Sequence, residues 1–199
     1  MPARESIEQR APGRADARRN RRRLLDATID LVLEVGGEPT RDSIAHRAGV
    51  GIGTIYRHFP SQQDLLMAVA LDLLDRAIEA GERALAETAE GQGALGRYLH
   101  SSIDVGLGAL SIIYPLLESP SWPDRRVRAE ALMSALVDAA RANGEINAAR
   151  GAEEIVYAVL RFGRPLPIGL PLQEQRDIAH AQVDTFLAGM ATHARVTAA

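Results

Sequence analysis

Residues 40–66 read TRDSIAHRAGVGIGTIYRHFPSQQDLL, and the spacing inside this stretch decides the fold. Ala45, Gly49 and Ile55 stand at A-x3-G-x5-I. A small residue at Ala45 lets the next helix approach the one that carries it. Gly49 supplies the positive φ that a tight turn demands. Ile55 plugs the small core between the two helices, helped by Ile44, Val50 and Phe59. The pattern predicts a helix-turn-helix, a unit that offers its second helix to a DNA major groove.

The outward side of that second helix would carry Ile52, Gly53, Thr54, Arg57 and His58, with Tyr56 beside them. The Thr54 and Tyr56 hydroxyls can donate to phosphate oxygens, as can a His58 ring N–H. Arg57 can pair with phosphate or with a guanine edge. Gly51 and Gly53 remove side-chain bulk, so that backbone could lie against a base or sugar. Phe59 reads as core.

Working outward, helices follow one another and no β-branched run has period two. A first helix from about Ala15 to Val35 places Leu24, Thr28, Leu31 and Val35 on one stripe, widened by Leu25, Ile29 and Val32. Gly36-Gly37 ends it. Thr40 caps a short helix near Arg41–Ala48, and Ile52–Phe59 forms the third. Pro60-Ser61 stops that helix and caps a long fourth, from about Gln62 to Ala89. Further helices are expected near 94–107, 109–118, 124–143, 150–163 and 173–192, separated by Pro, Gly and Asn-Gly breaks. The expected class is all-α, with about nine helices. A flexible N-terminal tail (1–14) precedes a helix-turn-helix domain (15–61) and a larger helical domain (62–199).

Composition agrees. The chain has 199 residues and is 46% hydrophobic, enough for a sizeable core and against native disorder. It has no cysteine, which removes disulfides, thiolate metal sites and a cysteine nucleophile. The net charge of −3 hides an asymmetry. Residues 1–60 hold 11 Arg against 8 acids, net +3, and residues 61–199 hold 12 Arg against 18 acids, net −6. Six Arg crowd between Arg14 and Arg23 against the single Asp16, and lysine is absent. A basic end on an acidic body points to a polyanionic partner. The longest uncharged run, Val105–Leu117, has 13 residues, too short to span a bilayer. The N-terminus lacks the apolar run of a signal peptide. A soluble cytoplasmic protein without membrane contact is expected.

Gly91-Gln92-Gly93-Ala94-Leu95-Gly96 spells G-x-G-x-x-G, but a charged helix precedes it where a dinucleotide site needs a strand. It reads as a helix–helix connection. No G-x-S-x-G, H-E-x-x-H or P-loop occurs, and His46, His58, His100, His180 and His193 lack metal-ligand spacing. No enzyme activity, cofactor or metal is expected.

The run GVGIGTIYRHFPSQQDLL makes the chain resemble the tetracycline-repressor (TetR) family over roughly residues 20 to 66, and in particular a subgroup with GVGIGTLYRHFP. The resemblance implies an all-α homodimer that reads double-stranded operator DNA with its third helix. It also implies a C-terminal domain that binds a small effector and dimerises through its last two helices. Position by position, Thr54, Tyr56 and His58 match phosphate contacts, and Ile52 and Gly53 match positions that face bases. Arg41 adds a candidate phosphate contact. Gln62 stands where the family often has Lys, which can hydrogen-bond but brings no charge.

In the C-terminal part, Tyr98, Ile103, Leu107, Tyr114, Trp122, Met133 and Phe162 are candidates to line a cavity, with His100 and Tyr157 beside them. Trp122, between Pro120 and Pro123, is a candidate gate. Ile155, Val159, Phe162, Ile178, Val183, Phe186 and Met190 suit a symmetric four-helix interface, or the monomer's own core. A ligand-responsive repressor is the expected function. An activator with the same head, and a helical ligand-binding protein with a vestigial helix-turn-helix, are the alternatives.

Overall fold

Thr40 accepts a hydrogen bond from the Ser43 amide, and this cap starts a helix where the sequence predicts one. The computed structural model describes residues 13–87, 91, 93–147, 151–166 and 168–196, so most of the tail assigned to residues 1–14 lies outside the described residues. Four helices build the N-terminal half: α1 (Arg14–Val35), α2 (Arg41–Ala48), α3 (Ile52–His58) and α4 (Gln62–Ala86). Gly49 turns α2 into α3 with φ 64°, the left-handed conformation its position requires. Ser61 and Asp64 form a reciprocal capping box that opens α4.

The head closes around fully buried Leu24, Leu25, Ile44 and Ile55, with Phe59 2% exposed. Burying Ile55 contributes about 1.5–3 kcal/mol. Val35, expected on the buried stripe of α1, is 67% exposed. It lies on the final turn, where the chain reverses at Gly36 and the stripe runs out of partners.

The second half comprises α5 (Ala94–Asp104), α6 (Leu110–Ile113), α7 (Pro123–Ala142), α8 (Ala152–Phe162) and α9 (Leu172–Val196). Among the described residues the fold is all-α, nine helices in all. The helix expected over 94–107 stops at Asp104, because Gly106 takes a left-handed φ of 79° against Ile29 and Leu33. The helix expected over 109–118 is a 3-10 turn (Leu107–Ala109), the single turn of α6 and a second 3-10 turn (Tyr114–Leu116). Pro115 has no N–H with which to continue an α ladder. Within the predicted glycine motif, Gly93 caps α5 and donates its amide to Glu145 at 2.6 Å. The motif therefore joins two helices, as read from the sequence.

The helix α4 is the spine. Its buried residues run from Leu65 to Ala84, and one hydrophobic core continues along it from the head to α5, α7 and α8. Ion pairs grip both flanks. Arg22 of α1 makes two hydrogen bonds to Asp72 (2.6 and 2.8 Å) and two to Asp26, while Arg76 pairs with Asp26 and Asp72. On the other flank Arg125 of α7 binds Asp75 bidentately at 2.7 and 2.8 Å, and Arg128 binds Glu82 at 2.8 Å. No single helix among the described residues is long and apolar enough to cross a membrane.

Candidate nucleic-acid interface and effector cavity

On α3, burial separates Ile55 from the residues expected to face outward, two of which are only partly exposed. Ile55 is fully buried, Ile52 is 42% and Tyr56 53% exposed, and Gly51, Gly53 and Arg57 face solvent. Thr54 and His58 are half-buried. A Cβ added at Gly51 or Gly53 would meet nothing within 4 Å, and neither residue has a positive φ. The fold itself therefore makes no demand for glycine at either place. Arg57 folds back along its own helix, donating to the Gly53 carbonyl at 3.2 Å and weakly to Thr54 Oγ1 at 3.4 Å.

His58 packs at 6.2 Å from the Phe59 ring. Burial, and then the charges of Arg21 and Arg57, hold its pKa below the ordinary histidine value. The neutral ring, with one N–H to donate, is therefore favoured. Arg21, which no motif singles out, lies over the Phe59 ring at 5.1 Å and closes that side of the head.

Arg41 and Gln62 are engaged with each other. Arg41 Nε donates to Gln62 Oε1 at 3.2 Å and Nη1 to the Phe59 carbonyl at 2.9 Å, while the guanidinium sits 4.6 Å from the centre of the Tyr56 ring. Its Nη2 is buried without a hydrogen-bond partner among the described residues. The cation thus spans the starts of α2 and α4 and supports Tyr56 from below. A lysine at position 62 would place a second cation against it, which accounts for a neutral Gln62 beside an Arg41.

A cavity of about 530 Å³ opens between α4, α5, α7 and α8. Of the sequence candidates, Tyr98, Leu107 and Met133 line it, and so does Tyr157. Ile103 and Phe162 line instead a cleft of about 20 Å³ under the 163–171 connection. Tyr114 and Trp122 meet edge to face at 5.8 Å, and neither lines the cavity. Trp122 directly precedes α7, whereas the cavity begins a turn later, at Arg126, Ala129 and Glu130. Sequence reasoning missed the α4 wall of Leu74, Ala77 and Ile78. The 74/77/78 spacing marks one helix face and was the available signal. Polar groups, Arg126, Glu130, Ser134 and Glu153, complete the lining.

Residues 24–69 match the family model of the bacterial regulatory proteins of the tetR family. The chain carries a tetR-family head. Over 96 residues it is 38% identical to the transcriptional repressor LfrR of Mycolicibacterium smegmatis, 48% of this chain and 50% of that protein. The chain thus matches about half the length of these first curated relatives, which are named as regulators of transcription. Solved structures extend the likeness beyond the tetR-family head. A TetR regulator of Streptomyces coelicolor superposes with a TM-score of 0.63 at 27% identity, covering 85% of this chain and 97% of that one. One from Mycobacterium vanbaalenii superposes at 0.61 with 29% identity, covering 90% and 99%. The α-helical body behind the tetR-family head is thus TetR-like in fold.

Proposed function

We propose that the chain is a cytoplasmic, homodimeric transcriptional repressor that releases operator DNA when a small molecule enters the α4–α8 cavity. The observation that carries the reading is the outward row of α3. Gly51, Ile52, Gly53, Tyr56 and Arg57 face solvent, and two of them are glycines that the fold does not require. Such a row suits close approach to a groove. Thr54, Tyr56 and His58 are assigned to phosphate, Arg57 to phosphate or guanine, and Ile52 and Gly53 to base edges. Arg41 and Gln62 are assigned a positioning role through Tyr56. The GVGIGTIYRHFP run supports a likeness to the subgroup whose segment reads GVGIGTLYRHFP, from which it differs at Ile55.

Glycine substitution tests this directly. Gly53→Ala should stabilise the chain by up to about 1 kcal/mol, since alanine is the better helix former. It should weaken operator binding in a gel-shift titration, because the new methyl projects outward. Unchanged affinity would remove Gly53 from the interface. Tyr56→Phe should also weaken binding, by about 1.5–3 kcal/mol for a lost hydrogen bond to a charged phosphate, with thermal stability unchanged. A variant that binds as tightly as the parent would show that the hydroxyl makes no contact.

For the dimer, the monomer divides the seven apolar candidates of the last two helices. Ile155, Val159, Val183 and Met190 are buried in the monomer, whereas Phe162, Ile178 and Phe186 are half-buried and edge a shallow groove with Ala181 and Thr185. The half-buried set supports pairing of α8 and α9 with a second copy. Ligand coupling would run through α4. Its cavity residues Leu74, Ala77 and Ile78 alternate with Asp72, Asp75 and Arg76, which hold α1 and α7. A ligand that shifts α4 acts on the head within one helical turn. Each tenfold change in DNA affinity requires about 1.4 kcal/mol of differential binding between the two states.

A further inference from the structure

His100 of α5 and His180 of α9 meet with Nδ1 2.8 Å from Nδ1, and their ring centres are 5.1 Å apart. The second distance exceeds the first by about two ring radii. The two nitrogens therefore lie on the line between the ring centres, and the rings meet edge to edge. The outer nitrogens are also engaged. Nε2 of His100 lies 3.1 Å from Asp184 Oδ1, and Nε2 of His180 lies 3.1 Å from Asp104 Oδ1. The result is a four-membered chain, Asp184–His100–His180–Asp104, that alternates between the two helices.

Counting protons along this chain fixes its charge. An ionised carboxylate only accepts, so each Nε2 must carry a hydrogen. The contact between the two Nδ1 atoms needs one more. Three protons on four ring nitrogens is one more than two neutral imidazoles hold. We propose that His100 and His180 bind one shared proton as an imidazole–imidazolium pair, clasping α5 to α9 between two carboxylates.

Only the singly charged pair satisfies all three contacts. Removing the proton leaves either two Nδ1 lone pairs facing one another or an Nε2 lone pair facing a carboxylate. Adding another sets two N–H groups against each other at 2.8 Å. Charged neighbours on the two helices are held elsewhere: Arg97 by Glu87 and the Ala84 carbonyl, Arg176 by Asp30 of α1, Asp177 by Gln173. No other charged group among the described residues hydrogen-bonds either ring. Closure of the clasp should therefore depend on pH with two limbs, falling on both sides of an optimum. The clasp matters for more than its own stability, because α5 carries Tyr98 into the cavity wall and α9 carries Phe186 and Ile178 on its outer face. The inference rests on the geometry alone and holds whether or not α9 pairs with a second copy.

Nitrogen-15 NMR of the histidine rings in the full-length protein tests the count. At the pH of maximal stability, His100 and His180 together should show three protonated nitrogens and one bare one. The His180→Gln variant assigns the signals. Two protonated nitrogens in the parent protein would overturn the shared proton. Thermal melts from pH 5 to 9 give a second readout. The stability lost in His180→Gln should be largest at the optimum and shrink on either side. A loss that is flat across this range, or that falls on one side only, would equally overturn it.

Discussion

Alanine at Gly108 should cost about 2–4 kcal/mol of stability, in the upper range for overpacking a core. Gly108 lies in the 3-10 turn Leu107–Ala109, pressed against Gly163 at the end of α8. A Cβ at Gly108 would fall inside the Gly163 peptide, and one at Gly163 would lie 3.1 Å from the Gly108 N and Cα. Both obstacles are backbone, so no rotamer change relieves them. The turn and α8 would have to part, and α8 carries Val156, Val159 and Leu160 of the cavity wall. For a chain of this size the melting temperature should fall by about 5–15 °C. A calorimetric scan reads it, with Gly53→Ala as the control expected to move the other way. A melting temperature within a degree of the parent would mean that this contact is looser than drawn.

The second large effect concerns salt. If the two heads of a dimer together neutralise about 6–10 phosphates, operator affinity should drop about 10³–10⁵-fold between 50 and 200 mM salt. The slope also separates the roles assigned to individual arginines. Arg57 is exposed and bonded only to its own helix, so Arg57→Gln should remove about one phosphate contact per head and flatten the slope accordingly. Arg41 is tied to the Phe59 carbonyl, Gln62 and Tyr56. Arg41→Met should therefore weaken binding while taking little from the slope. Fluorescence-anisotropy titrations at four or five salt concentrations suffice. A slope that falls as much for Arg41→Met as for Arg57→Gln would make Arg41 a phosphate ligand.

Most of the head was legible in the sequence because its rules are local. Thr40, Gly49 and Ser61 announce helix ends within three or four residues of the groups they serve, and Ile55 and Phe59 are apolar where a periodic pattern demands it. The work of Arg41 was not legible, because its partners Phe59 and Gln62 lie 18 and 21 residues away and one of them is a backbone carbonyl. The cavity was read only in part for a similar reason. Tyr98, Leu107 and Met133 were found as large groups, but the opposing wall is plain aliphatic residues of α4, which look like core until helices are set against one another. Trp122 stands out by its size and its prolines, whereas its ring meets Tyr114 edge to face and lies off the cavity. The meeting of His100 with His180 spans 80 residues and has no sequence signature.

The spine helix runs unbroken from Gln62 to Ala86, a rod about 37 Å long. Its first turns seal the underside of the head and its middle turns wall the cavity. A cut anywhere along it would strip one or the other of its cover. Proteolysis should accordingly find no early nick that frees a folded head, and the two halves should melt in a single transition.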